Sequence, residues 1–385
     1  MKIKITGIAL LLSLIVFCMS VLYYNYFSSA LLSDLWQNIN GFTRIVIPDT
    51  FIYKNIVDPS DFTQSIIISG VKNTIGPSFI WMAANENWVL VSLINSLLLF
   101  LALRYQIKIA SVFCISMRRV VIITFVLSLI PATIYYSVGS LKEIATMTFL
   151  LGFYYHYIKG QYIKWISCAI IVVLFRYQMI GIVFLFLFCD QFKKRALLAA
   201  FIILFFISAT YPYIANLVVF SADATNIYRE GQEGTTGAYV EFVRANIPIF
   251  SMLAVIIRVI QSIFEPLLSL ISEPSFYEDG DLSVISVVNV ISFAAMFIFW
   301  ICYFKKIIFS FSNPFSLRKD VMRLYMLSML YVVPVGGFSF IHHRYLYPIT
   351  AIVLLISVVD KTRILPTNWR MGAATNQIGP ELKSL

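Results

Sequence analysis

Long apolar segments recur along this chain, and short polar or charged segments separate them. Several of the apolar segments approach the roughly 20 residues that an α-helix needs to cross a bilayer core of about 30 Å. The pattern predicts an all-α polytopic membrane protein with about ten transmembrane helices, forming one integral membrane domain over 1–385. The predicted crossings are 5–30, 88–103, 120–137, 141–158, 165–175, 177–189, 196–219, 283–304, 323–341 and 345–359.

The basic residues decide how these helices are oriented. If both termini are cytoplasmic, the inward-facing segments carry most of the Lys and Arg residues, including the run Lys193-Lys194-Arg195, and most acids face outward. This asymmetry is the positive-inside signature of helical membrane proteins. The sequence therefore predicts a multi-pass protein with cytoplasmic N- and C-termini.

The segment 165–189 decides the orientation of everything that follows it. A single helix would place Arg176 at the bilayer midplane and would move the later basic clusters to the outer side. Two short helices with a tight turn at Arg176 keep those clusters inside. Eleven residues, the length of the first short helix, rise only about 16 Å, so Arg176 is expected below the outer surface, at the floor of a water-filled cavity.

Two long segments are expected on the outer side, 31–87 and 220–282. Within the second, the pattern predicts an amphipathic helix over 248–265, because Arg258, Gln261 and Glu265 share one helical face. Pro266 is expected to end or kink this helix. The helix is expected to lie on the outer leaflet or dip into it.

The composition narrows the classes of function. Apolar residues make up 60% of the chain, charged residues 12%, and the mean hydropathy is +0.85, which excludes a soluble globular enzyme. The net charge of +10 reflects membrane topology rather than nucleic-acid binding. The sequence contains no P-loop, GxGxxG, HExxH or CxxC motif, so no cofactor and no metal site is expected.

The candidate site consists of polar residues that the topology places on one side. They are Asp34, Asp49 and Tyr53 in the first outer segment, then Lys142, Glu143, Arg176, Arg258, His342, His343 and Arg344. A charge as deep as Arg176 is costly and indicates function, although a salt bridge between helices is the alternative. Glu143 is favourable at a helix N-terminus, and Arg258 can snorkel to lipid headgroups. Because Arg binds phosphate through a planar fork, the expected ligand is an amphiphile that carries diphosphate and sugar.

Several of these features together are similar to one group of membrane enzymes. They are the stretch Pro48-Asp49-Thr50 with Tyr53, Ser140-Leu141-Lys142-Glu143 opening a helix, the hairpin at Arg176, the long outer loop with Arg258 and Glu265-Pro266, and Arg344-Tyr345 with Pro348. In these features and in its length, the chain resembles bacterial polysaccharide polymerases of the O-antigen (Wzy) type and the related EpsG-like polymerases. The resemblance covers most of the chain and implies a GT-C-like polytopic glycosyltransferase of the bacterial inner (plasma) membrane.

The resemblance also implies a reaction and its participants. A growing glycan on undecaprenyl diphosphate is transferred to another lipid-linked repeat unit at the periplasmic face, in the synthesis of O-antigen, lipopolysaccharide or capsule. The implied catalytic residues are Arg176 and a general base, Asp49 or else Glu143. The implied substrate-binding residues are Lys142, Arg258, His342, His343, Arg344 and Tyr53. The implied partners are the undecaprenyl-diphosphate-linked oligosaccharide, membrane lipids and a chain-length regulator protein, with no nucleic acid.

Three other classes remain open at this point. One is a GT-C glycosyltransferase that adds a single sugar from a polyprenyl-phosphate donor. Another is a transporter of lipid-linked oligosaccharides, which would favour paired broken helices at the midplane. The third is a structural assembly subunit, which would not require Arg176.

Overall fold

The computed structural model describes residues 2–27, 42–43, 75–139, 142–217, 251–271, 277–278, 281–312, 318–337 and 343–359. Most of them are helical. The α-helices are α1 (Lys2–Tyr26), α2 (Ile75–Ala83), α3 (Trp88–Val112), α4 (Met117–Leu129), α5 (Pro131–Val138), α6 (Lys142–Ile158), α7 (Tyr162–Phe175), α8 (Met179–Asp190), α9 (Ala196–Leu217), α10 (Ser251–Ile271), α11 (Val284–Ser312), α12 (Lys319–Gly337) and α13 (Thr350–Val358). Short 3-10 helices cover Lys193–Arg195 and His343–Ile349.

Every predicted crossing overlaps one of these α-helices or a pair of them, so the helical class is confirmed. Among the described residues, three helical spans are long and apolar enough to cross a membrane: Thr6–Tyr26, Trp88–Val112 and Val284–Phe311. The bent pair α4–α5 gives a fourth if it counts as one span. Membrane character therefore follows from the helices themselves, whereas about ten crossings stays a prediction.

Two helices differ from the predicted boundaries, both at prolines. The crossing 120–137 is not one helix but α4 and α5, which are bent by 50° at the break. Pro131 is the first residue of α5 and has no N–H for the α4 ladder, so Ile130 becomes extended (φ −62°, ψ 134°). Conversely, Pro266 does not end α10, which continues to Ile271. Packing of α10 against α9, α11 and α12 compensates for the hydrogen bond that Pro266 cannot donate.

A small three-stranded sheet departs from the purely helical expectation. Its strands are β1 (Phe42–Thr43), β2 (Tyr277–Glu278) and β3 (Asp281–Ser283), in the order β1-β3-β2. The β1 strand is parallel to β3, and β2 is antiparallel to it. Because β1 lies in 31–87 and β3 lies at the end of 220–282, the sheet joins described parts of two segments that were both predicted on the outer side.

Helix α6 forms the centre of the bundle and is buried along most of its length. It packs against α3, α7 and the 3-10 helix His343–Ile349. Gly152 permits this close approach, since a Cβ there would lie 2.9 Å from Cys168 Sγ and 3.1 Å from the ring of Tyr105. The residues that begin and end α6 are thereby held against three neighbouring segments.

An ion pair fastens the bundle near the C-terminal end of α6. Arg323 on α12 binds the carboxylate of Asp190 on α8 through two hydrogen bonds, of 2.7 Å from Nε and 2.5 Å from Nη2. Tyr157 on α6 donates to the same carboxylate at 2.7 Å, and its ring lies 4.9 Å from the guanidinium carbon. Such a two-pronged Arg–carboxylate contact fixes geometry as well as charge, so it joins α6, α8 and α12.

Candidate functional site

Glu143 lies in the first turn of α6 and is fully buried, with 0% of its surface exposed. Its Oε1 accepts a hydrogen bond from Arg344 Nε at 2.6 Å and forms an ion pair with Arg176 Nη2 at 3.3 Å. A carboxylate is favoured at this end of a helix, where backbone N–H groups are unpaired. Glu143 therefore joins three segments that are far apart in sequence: α6, the α7–α8 turn and the last 3-10 helix.

The predicted break at Arg176 is confirmed. Helix α7 ends at Phe175, and Arg176 is extended (φ −144°, ψ 101°), while its carbonyl accepts from Met179 N at 2.9 Å as α8 begins. Arg176 is only 5% exposed, and its position at the floor of a water-filled cavity stays a prediction. Its guanidinium turns toward Glu143, 5.3 Å from the centroid of the Tyr345 ring.

The residue before this turn is held by two contacts. The rings of Phe175 and Phe149 are stacked, with centroids 6.2 Å apart. On the other side, α2 approaches so closely that a Cβ at Gly76 would lie 2.6 Å from the ring of Phe175. A side chain at position 76 would displace the ring, so this glycine helps to set the position of Arg176.

Tyrosines hold the 3-10 helix that carries Arg344. The hydroxyl of Tyr331, on α12, donates to the carbonyl of Tyr345 at 3.0 Å. The hydroxyl of Tyr347 is bonded to Thr133 Oγ1, on α5, at 2.6 Å. Arg344 thus reaches Glu143 from a short helix that is tied to two longer helices.

Asn95 fixes the turn that precedes α6. It lies fully buried on α3, and its Nδ2 donates to the carbonyls of Ser137 at 3.1 Å and Gly139 at 2.6 Å. Both carbonyls belong to the end of α5, a few residues before Glu143. Asn95 was not predicted as a site residue, although an amide inside the apolar crossing 88–103 is the kind of signal that marks a structural or functional position in a membrane helix.

The described part of the cluster brings buried basic side chains close to a buried acid. Three buried cations, Lys142, Arg176 and Arg344, accompany one buried carboxylate, that of Glu143. Within the part of the chain that the structure describes, two buried polar atoms, Glu143 Oε2 and Arg176 Nε, have no hydrogen-bond partner. A guanidinium N–H donor and a carboxylate oxygen at one point can bind a ligand that carries an oxygen acceptor and a hydroxyl donor.

The other residues predicted for the site have different outcomes. Asp34, Asp49, Tyr53 and His342 lie outside the described residues. His343 begins the 3-10 helix that carries Arg344. Arg258 lies on α10, a helix that packs against this 3-10 helix. Among the residues that the structure describes, no group of three or more His, Cys, Asp or Glu side chains could hold a metal ion.

Compared with known proteins, the chain matches no protein-family model, no curated protein and no solved structure.

Proposed function

We propose that this protein is a polysaccharide polymerase, a membrane glycosyltransferase that joins undecaprenyl-diphosphate-linked repeat units of O-antigen or capsule. The observation that carries the proposal is the convergence of Arg176 and Arg344 on Glu143 in a buried cluster. Two guanidiniums at one point match the several oxygens of a diphosphate better than those of a neutral sugar.

The proposed chemistry is a glycosyl transfer with lipid diphosphate as leaving group. The acceptor hydroxyl oxygen bonds to the anomeric carbon, and the bond from that carbon to the diphosphate oxygen breaks. The leaving diphosphate takes the electron pair, and Arg176 and Arg344 stabilise its growing negative charge. Lys142, Arg258, His342 and His343 supply further donors, and Tyr53 binds sugar.

A base must take the proton of the acceptor hydroxyl. Asp49 is the first choice for this role, and Glu143 is the second. In the described geometry, Glu143 Oε1 is engaged by both arginines, whereas Oε2 has no hydrogen-bond partner. This arrangement suits Glu143 to hold the arginines until diphosphate takes its place, which leaves the proton transfer to Asp49.

The proposal includes a location: about ten crossings of the inner membrane in a GT-C-like arrangement, both termini in the cytoplasm, and 31–87 and 220–282 in the periplasm. Single cysteines at 49, 232 and 279 should react with an impermeant thiol reagent in intact cells. Cysteines at 194 and 319 should not react. Labelling at 194 from outside would contradict the hairpin topology.

The decisive experiment is deletion in the host, followed by a gel of surface polysaccharide. If the protein is a polymerase, deletion should remove the ladder of polysaccharide bands and leave the band with a single repeat unit. If it is a single-sugar transferase, the repeat unit should be incomplete. If it is a transporter, lipid-linked repeat units should accumulate inside the cell. Complementation should fail with Arg176→Ala and succeed with Arg118→Ala, which removes the same side chain from an exposed position.

A further inference from the structure

A second group of cations lies at the other end of the central helices. It consists of Arg104 and Lys108 on α3 and Lys164 on α7, close to His156 in the last turn of α6. Glu143 is in the first turn of α6, so about 20 Å of helix separates the two groups at 1.5 Å per residue. This second group therefore cannot share a small ligand with the candidate site.

The ammonium of Lys108 is held in a defined place. It lies 5.6 Å from the ring centroid of Tyr105 and 5.1 Å from that of Tyr155, within range of a cation–π interaction with both. A hydrogen-bonded chain fixes the first of these rings. His156 Nδ1 is bonded to Gln161 Oε1 at 2.6 Å, and His156 Nε2 is bonded to the Tyr105 hydroxyl at 3.2 Å.

The direction of the protons in that chain follows from its end. The Gln161 oxygen can only accept, so Nδ1 of His156 donates to it and Nε2 of a neutral imidazole accepts the proton of Tyr105. The backbone at Gly152 leaves room for the same tyrosine ring. His156 is thereby fully used in holding Tyr105, and Tyr105 in turn helps to hold Lys108.

The positive charge of this group is not neutralised by the described part of the protein. Arg104, Lys108 and Lys164 form no ion pair or hydrogen bond through their side chains among the described residues. Among the described residues, the charges that act on the partly buried Lys108 are those of the exposed Arg104 and Lys164, which have the same sign. Like charges repel, so an anion bound among the three would lower the energy.

We propose that Arg104, Lys108 and Lys164 form a site for the phosphate group of an anionic ligand. The phosphate belongs to a lipid headgroup or to a free phosphate, and both sources present the same oxygens to these cations. Basic pockets between membrane helices are suited to lipid headgroups, and the group lies where α3 and α7 pack on α6. The site does not depend on the proposed polymerase activity.

The test uses the purified full-length protein in a neutral detergent. Native mass spectrometry measures adducts with phosphatidylglycerol, and phosphatidylcholine serves as the neutral-headgroup comparison. A separate thermal-shift titration with inorganic phosphate tests the free anion. The double variant Lys108→Gln/Lys164→Gln should bind the effective ligand roughly thirtyfold more weakly, since it loses two cations near the phosphate. Lys305→Gln makes the same substitution at an exposed position on α11 and should bind normally.

Each outcome decides the proposal. Selective adducts with phosphatidylglycerol that the double variant loses would support it and identify a lipid source. Saturable stabilisation by inorganic phosphate that the double variant loses would support it and identify the free anion. Lys108→Arg keeps the charge and should retain binding even if a glutamine variant folds poorly. Equal binding by wild type and double variant, or no preference for either anionic ligand, would overturn it.

Discussion

Replacing Glu143 by Gln tests the buried ion pairs of the candidate site directly. The substitution keeps the shape of the side chain but removes a buried carboxylate that Arg176 and Arg344 both contact. Removing one partner of a buried ion pair typically costs about 3–5 kcal/mol, because the other charge stays buried without compensation. A loss of this size is a large part of the roughly 5–15 kcal/mol that stabilises a typical folded protein.

A double-mutant cycle separates the coupling energy between Glu143 and Arg344 from other losses of stability. Arg344→Gln removes one of the two guanidiniums, so the double variant Glu143→Gln/Arg344→Gln should lose less stability than the sum of the single losses. A coupling energy of about 0.5–3 kcal/mol is expected for residues in direct contact. Glu86→Gln is the matched control, since Glu86 is exposed and its substitution should change stability by less than about 0.5 kcal/mol.

The assay is unfolding of the purified variants in mixed micelles, followed by tryptophan fluorescence. The same unfolding measurement is repeated with inorganic pyrophosphate, because this ligand brings negative charge to the same guanidiniums. At a hundred times its dissociation constant, it should restore about 2.7 kcal/mol to the Glu143→Gln variant, and it should stabilise wild type less. Wild-type stability in Glu143→Gln, with additive effects in the cycle, would refute the view that Glu143 neutralises the arginines.

Three other predictions follow from named contacts. Arg176→Ala should reduce the rate of polymerisation in vitro by roughly a hundred- to thousandfold. Arg176→Lys should restore little of this rate, because Lys lacks the planar fork. Full-length polymer from the Ala variant would remove Arg176 from the mechanism. Asn95→Ala should lower the free energy of unfolding by about 1–3 kcal/mol, because two carbonyls lose their donor. Ser96→Ala is the control and should be near neutral, since the buried Ser96 hydroxyl has no hydrogen-bond partner among the described residues. Equal losses would contradict a specific role for the amide. Burial alone would raise the pKa of Asp190, but hydrogen bonds from Arg323 outweigh burial and hold that pKa below its usual range. The ion pair therefore stabilises the protein above about pH 4, and this stabilisation is lost as the pH falls. An unchanged acid-unfolding profile in Asp190→Asn would refute this.

The helices of this protein could be predicted from the sequence, because apolar runs of the right length need no long-range information. The break at Arg176 could also be predicted, since a continuous helix would have moved many basic residues to the wrong side. The bend at Pro131 was missed because the apolar run continues across it. The strands of the sheet were missed because β1 has two residues, Phe42 and Thr43, too few for an alternating pattern to be recognised.

The members of the site were easier to predict than their arrangement. Glu143, Arg176 and Arg344 were selected because each is charged and was expected near the same face. Arg176 and Arg344 meet on one oxygen of Glu143 because α6 packs against two distant segments. No local sequence pattern encodes this packing. Asn95 was missed for a similar reason, since its partners are backbone carbonyls of another helix, and carbonyls have no signature in a sequence.

The long sequence separation within the site has a consequence for biosynthesis. Glu143 and Arg176 are 33 residues apart, whereas Glu143 and Arg344 are 201 residues apart. Because a chain is made from its N-terminus, Glu143 and Arg176 are both present early, whereas Arg344 follows Glu143 only after 201 further residues have been translated. A ribosome-bound chain that ends before position 344 therefore contains only half of the arginine pair, and the cluster becomes complete only after α12 has been made.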